Sequence, residues 1–238
     1  MSKSKLAFFG GKPIRKKPYP KYNTITPAVI KSALEVMKYG SLSGFVARGN
    51  NKFLGGSEVI KLEKKIKNFF SSNYCVTVNS ATSGLHSALM AAGVQAGDEV
   101  IVPPITMSAT AASVLMCKAK PIFVDVDKNS FCIDYKEVVK ALTKKTKAII
   151  AVNIFGYPSE LKKLRVLAEK YKIFLIEDNA QAPGAFHKGK YAGTWGHMGV
   201  LSFNVHKTIQ CGEGGAILTD DINLAKKLQL IRNHSESV

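Results

Sequence analysis

Residues 147–178, KAIIAVNIFGYPSELKKLRVLAEKYKIFLIED, contain two apolar runs separated by an amphipathic segment. The runs KAIIAVNI and IFLIED have the length and the β-branched content of buried strands. Residues 159–171 between them repeat apolar side chains at helical spacing. Strands that alternate with helices are typical of a parallel sheet covered on both faces. This stretch therefore predicts an α/β fold.

The same alternation extends in both directions along the chain. We expect further strands at YCVTVN (74–79), EVIVP (99–103), PIFVDV (121–126), GVLSFN (199–204) and GAILTD (215–220). Helices are expected over residues 27–39, 57–70, 82–93, 108–118 and 135–142, with a last helix beginning near Asp221. The prediction is a mostly parallel mixed sheet of about seven strands flanked by helices. Ligands gather at the carboxyl ends of the strands in such sheets.

The composition is that of a globular protein with a large core. The chain has 238 residues, of which 46% are hydrophobic, and a formal net charge of +17. Most lysines occupy the polar positions of helical stretches such as EVIKLEKKIKNFF. Nucleic-acid sites instead have dense basic blocks interleaved with aromatic residues. We expect no nucleic-acid partner.

Cysteine spacing and hydropathy exclude further classes of protein. The four cysteines form no CxxC pair, which argues against a zinc site or a disulfide framework. No apolar run approaches the length of a membrane span, and the first residues lack a signal-peptide core. We expect a cytoplasmic protein with no membrane partner.

The domain organisation follows from the breaks in periodicity. Residues 1–40 are expected to form an irregular arm and the first helix, and residues 41–238 one large domain. The chain stops in IRNHSESV with no closing domain, so we expect a C-terminal small domain to be absent or truncated.

The first stretch with candidate chemistry is VNSATSGLHSAL, in which a strand turns through Ser80, Ala81 and Thr82 into a helix. Free N–H groups at a helix N-terminus, with hydroxyls beside them, bind phosphate. Ordinary capping of the helix by Ser80 or Thr82 is the alternative.

The second stretch is FLIEDNAQAPGA, in which Glu177 and Asp178 end a strongly apolar strand. Burying a carboxylate there is costly unless it meets a cation. A protonated pyridine nitrogen is such a cation, and an acid paired with it keeps the ring an electron sink. A metal-ligand carboxylate and an Asp that caps the next turn remain alternatives.

The third stretch, SFNVHKTIQCGEGGAILTDD (202–221), places Lys207 between a strand and a glycine-rich bend. Most lysines are solvated, but an amine held in a pocket forms an imine with a carbonyl. Ser202 lies close enough in sequence for its hydroxyl to reach the phosphate of the first stretch. Together the three stretches supply what an aldehyde-bearing, phosphorylated pyridine cofactor needs.

These stretches, with PIFVDVD, resemble the DegT/DnrJ/EryC1/StrS family, the nucleotide-sugar aminotransferases of fold type I. The likeness covers about residues 40–233, and it implies the large domain of that fold, pyridoxal 5′-phosphate (PLP) as cofactor and a homodimer. It implies that Lys207 is the catalytic lysine that binds the cofactor, and that Asp178 pairs with the pyridine nitrogen. The remaining cofactor-binding residues by this resemblance are Gln181 near the ring hydroxyl and, at the phosphate, Ala81, Thr82 and Ser202.

Met107, in PPITMSAT, stands where many members of the family have an aromatic residue stacked on the cofactor ring. A thioether also packs on a π-face, so we expect Met107 to contact the ring.

The resemblance implies amino transfer, with glutamate as the expected donor, to a nucleotide-linked keto-sugar in amino-sugar biosynthesis for surface polysaccharide. One alternative is a truncated, non-catalytic paralogue that binds PLP or a partner chain. Another is a PLP-dependent sugar dehydratase, a branch of the family in which histidine replaces the lysine. Nicotinamide and P-loop enzymes are excluded, because no G-x-G-x-x-G follows a predicted strand and GEGG lacks the following Lys and Ser or Thr.

Overall fold

The computed structural model describes residues 5–20, 23–40, 42–45 and 51–233. The last five residues of IRNHSESV, where the sequence predicts an uncapped end, lie outside this part of the chain. The chain divides into two compact units, Met1–Gly40 and Ser41–Val238.

The first unit contains one α-helix, α1 (Pro27–Tyr39), in its described part. The helix begins at the N-cap residue Thr26, whose side chain accepts a hydrogen bond from the Val29 N–H, and Pro27 occupies the first helical position. It ends at Gly40, which adopts a left-handed conformation with φ +69°. These signals explain why the predicted helix 27–39 is correct.

A seven-stranded mixed sheet forms the centre of the second unit, among the residues that the structure describes. Its strands are β1 (Tyr74–Val78), β2 (Glu99–Val102), β3 (Lys120–Phe123), β4 (Thr146–Val152), β5 (Phe174–Asp178), β8 (Met198–Ser202) and β9 (Gly215–Thr219). The order across the sheet is β1-β9-β8-β5-β4-β2-β3. Strand β9 runs antiparallel to both of its neighbours, and the other pairs are parallel.

Helices cover both faces of this sheet. They are α2 (Ser57–Phe70), α3 (Ala81–Ala91), α4 (Ser108–Met116), α5 (Tyr135–Ala141), α6 (Leu161–Tyr171) and α7 (Ile222–Arg232). Leu85, Val114 and Leu224 place α3, α4 and α7 in one buried cluster with Ile150 and Ile176 of the sheet. The alternate strand residues pack with α2, α5 and α6 on the other face. The predicted α/β fold with a mainly parallel seven-stranded sheet is confirmed.

Several element boundaries differ from the prediction by one to three residues, and two of the differences have a clear local reason. The predicted strand 121–126 pairs in β3 only to Phe123, and the chain then enters a turn in which the Asp127 carboxylate accepts the N–H groups of Asn129 and Ser130. Helix α6 begins at Leu161 and not at residue 159. Ser159 is held against the end of β4, because its hydroxyl donates to the Val152 carbonyl over 3.0 Å.

A two-stranded hairpin, β6 (Phe186–His187) with β7 (Lys190–Tyr191), was not predicted. Within the described ranges, no helix has the length and apolar character needed to cross a bilayer.

The topology brings the candidate residues to one edge of the sheet. Most strands of the sheet run in the same direction, so their carboxyl ends lie at the same edge of the sheet. They include β1, β2, β4, β5 and β8. The antiparallel strand β9 begins at that edge, where Gly215 pairs with Ser202. Asp178, Ser202 and the start of α3 therefore belong to one region.

Candidate active site

The loop between β8 and β9 carries Lys207 and is held by its own backbone. The Phe203 N–H donates to the Gly214 carbonyl over 2.8 Å, and the Val205 N–H donates to the Gly212 carbonyl over 2.9 Å. Gly212 has φ +87°, a conformation that favours glycine. The Lys207 N–H donates to the Asn204 carbonyl, and its side chain is half-buried. Lys207 is thus displayed from an ordered loop at the carboxyl edge of the sheet.

Asp178 ends β5 in the middle of the sheet and is only 5% exposed. Its Oδ1 accepts a hydrogen bond from the Ala180 N–H over 3.2 Å, and its Oδ2 accepts one from Thr110 Oγ1 over 2.9 Å. Burial raises the pKa of the Asp178 carboxyl, and the positive charge of Lys207 is among the effects that oppose the rise. Both predicted residues therefore lie at the carboxyl edge of the sheet, Asp178 at the end of β5 and Lys207 on the loop after the neighbouring strand β8.

Glu177, the neighbouring acid, has a structural role on the opposite face of the sheet. Its carboxylate accepts hydrogen bonds from the N–H groups of Gly193, Trp195 and Gly196 at 2.6–2.7 Å, and from the Asn153 amide at 3.1 Å. It anchors the loop that leads into β8. In the part of the chain that the structure describes, no group of three or more His, Cys, Asp or Glu side chains could hold a metal ion.

Ser202 and the start of α3 are brought together by Gly215. A Cβ atom on Gly215 would lie 2.8 Å from the Ser80 carbonyl carbon and 2.9 Å from the Ala81 nitrogen, so only glycine permits this approach. Ser80 caps α3 through a 3.1 Å bond from the Ser83 N–H. The first N–H groups of a helix have no intrahelical acceptor, which leaves those of Ala81 and Thr82 for an anion.

Gln181 and Met107 lie on loops at the same edge. Gln181 Oε1 accepts a hydrogen bond from the Phe155 N–H over 3.1 Å, which orients its amide and leaves the amide N–H groups to donate. Met107 precedes the first turn of α4, and 62% of its surface is exposed.

Sequence reasoning missed two residues of this region, Thr110 and Gly215. Thr110 is fully buried and bonds Asp178, although in the sequence it looks like one more small residue of helix α4. The available signal was a pair of threonines, Thr106 and Thr110, at helical spacing in the segment after strand β2, at the edge where ligands bind. In the sequence, Gly215 is only the last residue of a glycine-rich bend, and nothing there indicates its close approach to α3.

The donor set fits PLP. The buried Asp178 carboxylate ends the central strand, Lys207 lies on the loop after the neighbouring strand β8, and the N-terminus of α3 lies beside Gly215 and Ser202. An acid, an amine and an anion cradle are the three groups that a phosphorylated pyridine aldehyde requires.

Residues 46–238 match the DegT/DnrJ/EryC1/StrS aminotransferase family. The chain belongs to this family. DegT/DnrJ/EryC1/StrS proteins are PLP-dependent sugar aminotransferases and related dehydratases, and solved structures of family members contain PLP or pyridoxamine phosphate.

Within the DegT/DnrJ/EryC1/StrS family, the chain is 34% identical to the L-glutamine:2-deoxy-scyllo-inosose aminotransferase of Streptomyces kanamyceticus, over 98% of this chain and 53% of the relative. Among solved structures, DesI in the presence of its TDP-sugar product has a TM-score of 0.82 and 31% identity, over 95% of this chain and 56% of that one. The GDP-4-keto-6-deoxy-D-mannose-3-dehydratase of E. coli, with hydrated PLP bound, has a TM-score of 0.79 and 30% identity, over 90% and 54%. The chain spans about half the length of the relatives it matches.

Proposed function

We propose that this protein is a PLP-dependent aminotransferase that transfers an amino group from an amino acid to the keto group of a nucleotide-linked sugar. The observation that carries the proposal is the placement of Lys207, on the loop after β8, and of the buried Asp178, at the end of the neighbouring strand β5, at one edge of the sheet. The family of the chain supports the reaction class.

When bound, PLP supplies an aldehyde and an electron sink. Lys207 would hold the cofactor through its Nζ atom and would be freed when the amino-acid donor binds. The freed Nζ then takes a proton from the donor Cα as general base and returns a proton as general acid.

The other site residues bind and orient the cofactor. Asp178 would bind the pyridine nitrogen and keep it protonated, because a buried carboxylate favours a cation beside it. The N–H groups of Ala81 and Thr82 and the Ser202 hydroxyl hold the phosphate. Gln181 would donate to the ring hydroxyl through its amide, and Met107 would pack on the ring.

The substrate class is proposed from chemistry and from the relatives. A TDP-sugar product is named for DesI, and a cyclic ketone that carries no nucleotide is named for the Streptomyces kanamyceticus relative. The net charge of +17 favours an anionic substrate, which supports the nucleotide-linked sugar. We propose a role in amino-sugar biosynthesis for surface polysaccharide, with glutamate as donor.

The dehydratase alternative is represented among the similar structures by the GDP-4-keto-6-deoxy-D-mannose-3-dehydratase of E. coli. The lysine at position 207 favours amino transfer, since the resemblance places histidine there in the dehydratase branch. We further propose a cytoplasmic homodimer, in which exposed apolar side chains of the second unit such as Phe69 and Ile209 are covered.

A PLP titration tests the cofactor site. The chain should develop a visible absorbance band that borohydride fixes onto the peptide containing Lys207. Lys207→Ala should abolish the band, while Lys147→Ala, which removes a half-buried lysine at the start of β4, should leave it unchanged. A label on any other lysine would contradict the assignment.

The reaction is tested with glutamate and glutamine against a panel of TDP- and GDP-linked keto-sugars and 2-deoxy-scyllo-inosose. Amino transfer is followed by formation of the donor's keto acid and by the mass of the aminated product. Loss of a sugar hydroxyl without amination would favour the dehydratase. Cofactor binding with no turnover on any substrate would favour the non-catalytic paralogue.

A further inference from the structure

Two threonine hydroxyls form a chain that ends on Asp178. Thr110 Oγ1 lies 2.9 Å from Asp178 Oδ2 and 2.8 Å from Thr106 Oγ1. Thr110 is 0% exposed and stands in the first turn of α4, which packs on the Asp178 face of the sheet. These two hydroxyls therefore link the loop after β2 to the Asp178 carboxylate at the end of β5.

The charge of Asp178 decides the direction of these hydrogen bonds. An ionised carboxylate only accepts, so the single Thr110 proton points to Asp178 Oδ2. Thr110 Oγ1 is then an acceptor toward Thr106, whose hydroxyl donates to it. Each hydroxyl polarises the next in such a chain, which strengthens the bond to the carboxylate.

A helical threonine ordinarily bonds the backbone carbonyl three or four residues earlier. Thr110 departs from this pattern, because its bonds go to the Thr106 side chain and across 68 residues to Asp178. Its hydroxyl is therefore directed at the acid and away from its own helix.

We propose that Thr110 is a positioning residue for the cofactor, which acts by holding Asp178 ionised and oriented toward the pyridine nitrogen. This inference rests on the proposed function, in which Asp178 binds that nitrogen. With Oδ1 held by the Ala180 N–H and Oδ2 by Thr110, the carboxylate has both oxygens fixed and retains lone pairs for the cofactor.

The physical need for the hydroxyl comes from burial. Burial raises the pKa of Asp178, and the Thr110 hydrogen bond is one of the effects that oppose the rise. Without it the carboxyl gains a proton more easily and loses one of its two anchors. A neutral, rotating carboxyl group binds a pyridinium nitrogen less well.

The test compares the dissociation constants of PLP and of an analogue that carries C–H in place of the ring nitrogen, measured by absorbance titration. The full chain should bind PLP more tightly than the analogue. Thr110→Val should weaken PLP binding by about tenfold, as for a lost hydrogen bond to a charged group. Its binding of the analogue should change by less than about twofold, because no nitrogen is recognised there.

Two further variants keep the test decisive if Thr110→Val folds poorly. Thr110→Ser retains the hydroxyl and should behave as the natural chain, whereas Thr110→Ala should reproduce the selective loss. Thr219→Val is the matched control, because Thr219 is also buried but its hydroxyl bonds the His197 carbonyl at the other edge of the sheet. It should leave the ratio of the two constants unchanged.

The possible failures are distinguishable. If the natural chain binds PLP and the analogue equally, Asp178 does not recognise the nitrogen, and the proposed cofactor site falls together with this inference. If the natural chain discriminates and Thr110→Ala discriminates equally well, the proposed function stands and the role of Thr110 is overturned.

Discussion

Gly215 and Ala81 lie backbone to backbone at the start of helix α3. A Cβ atom on Gly215 would be 2.9 Å from the Ala81 nitrogen, and Gly215 pairs with Ser202 across the β8–β9 ladder. The same glycine therefore sets the distance between the helix N-terminus and the serine that we assign to the phosphate. Any side chain at position 215 separates these two groups.

Gly215→Ala should destabilise the protein by ~1–3 kcal/mol, because the neighbouring atoms are backbone and cannot rotate away. It should also weaken PLP binding by about tenfold, which corresponds to the lower end of that range. Chemical denaturation and absorbance titration measure the two effects. Gly56→Ala is the control, since a Cβ there meets its nearest atom at 3.5 Å. Equal effects of the two substitutions would contradict the role of Gly215.

Amide substitution of the adjacent acids should affect stability strongly at Glu177 and weakly at Asp178. In the natural chain, backbone N–H groups donate to both oxygens of the Glu177 carboxylate. Glu177→Gln keeps only one acceptor oxygen and places an NH₂ group against the remaining donors, so the free energy of unfolding should fall by ~2–4 kcal/mol. Asp178→Asn should change that energy by less than ~1 kcal/mol, because it relieves the burial of a charge.

Cofactor binding should also distinguish Asp178→Asn from Glu177→Gln. Asp178→Asn should lose the preference for PLP over the analogue without a ring nitrogen, and nearly all turnover. Turnover that survives in Asp178→Asn and disappears with a chelator would indicate metal chemistry. A larger loss of stability in Asp178→Asn than in Glu177→Gln would reverse the two assignments.

His197 should make the protein less stable in mild acid. Burial, followed by the charge of Arg165, lowers the pKa of His197 from 6.5 to about 4, and its Nδ1 accepts the Leu175 N–H over 2.9 Å. Glu169 and Asp221 face it and act in the opposite direction. Between these two pH values the unfolded chain binds a proton that the folded chain excludes, so stability falls as the pH falls from 6.5 to about 4.

His197→Asn tests this dependence, since its amide oxygen still accepts the Leu175 N–H and does not titrate. The free energy of unfolding of the natural chain should decrease more steeply than that of the variant as the pH falls through this window. Parallel curves would show that His197 does not titrate on unfolding.

The sequence predicted the elements best where local signals agree. Helices α1 and α2 begin and end at the predicted residues, and the strand–helix–strand unit from β4 to β5 has the predicted order. Apolar periodicity and caps determine such elements with little help from the rest of the chain. The catalytic role of Lys207 stays a prediction, which its place between a strand and a glycine-rich bend favours.

Long-range contacts explain what the sequence did not predict. Glu177 and Asp178 are adjacent in β5, so their side chains point to opposite faces of the sheet. Only the elements packed on each face show that Glu177 binds the structural loop and that Asp178 belongs to the candidate site. Thr110 meets Asp178 because β2 and β5 flank β4, an order that the apolar runs do not specify. The β6–β7 hairpin is too short to show a periodicity.

The position of β9 also determines when the protein can complete its fold. β1 is made early in synthesis, yet its one neighbour in the described sheet is β9, with Tyr74 paired to Thr219. Until the ribosome has released residues 215–219, β1 has no hydrogen-bonding partner, and pairing across so long a loop is slow. The nascent chain then exposes the unpaired strand β1 and the side of β8 that faces away from β5, which favours association with chaperones or other chains. The phosphate side of the site is therefore the last part of this sheet to form.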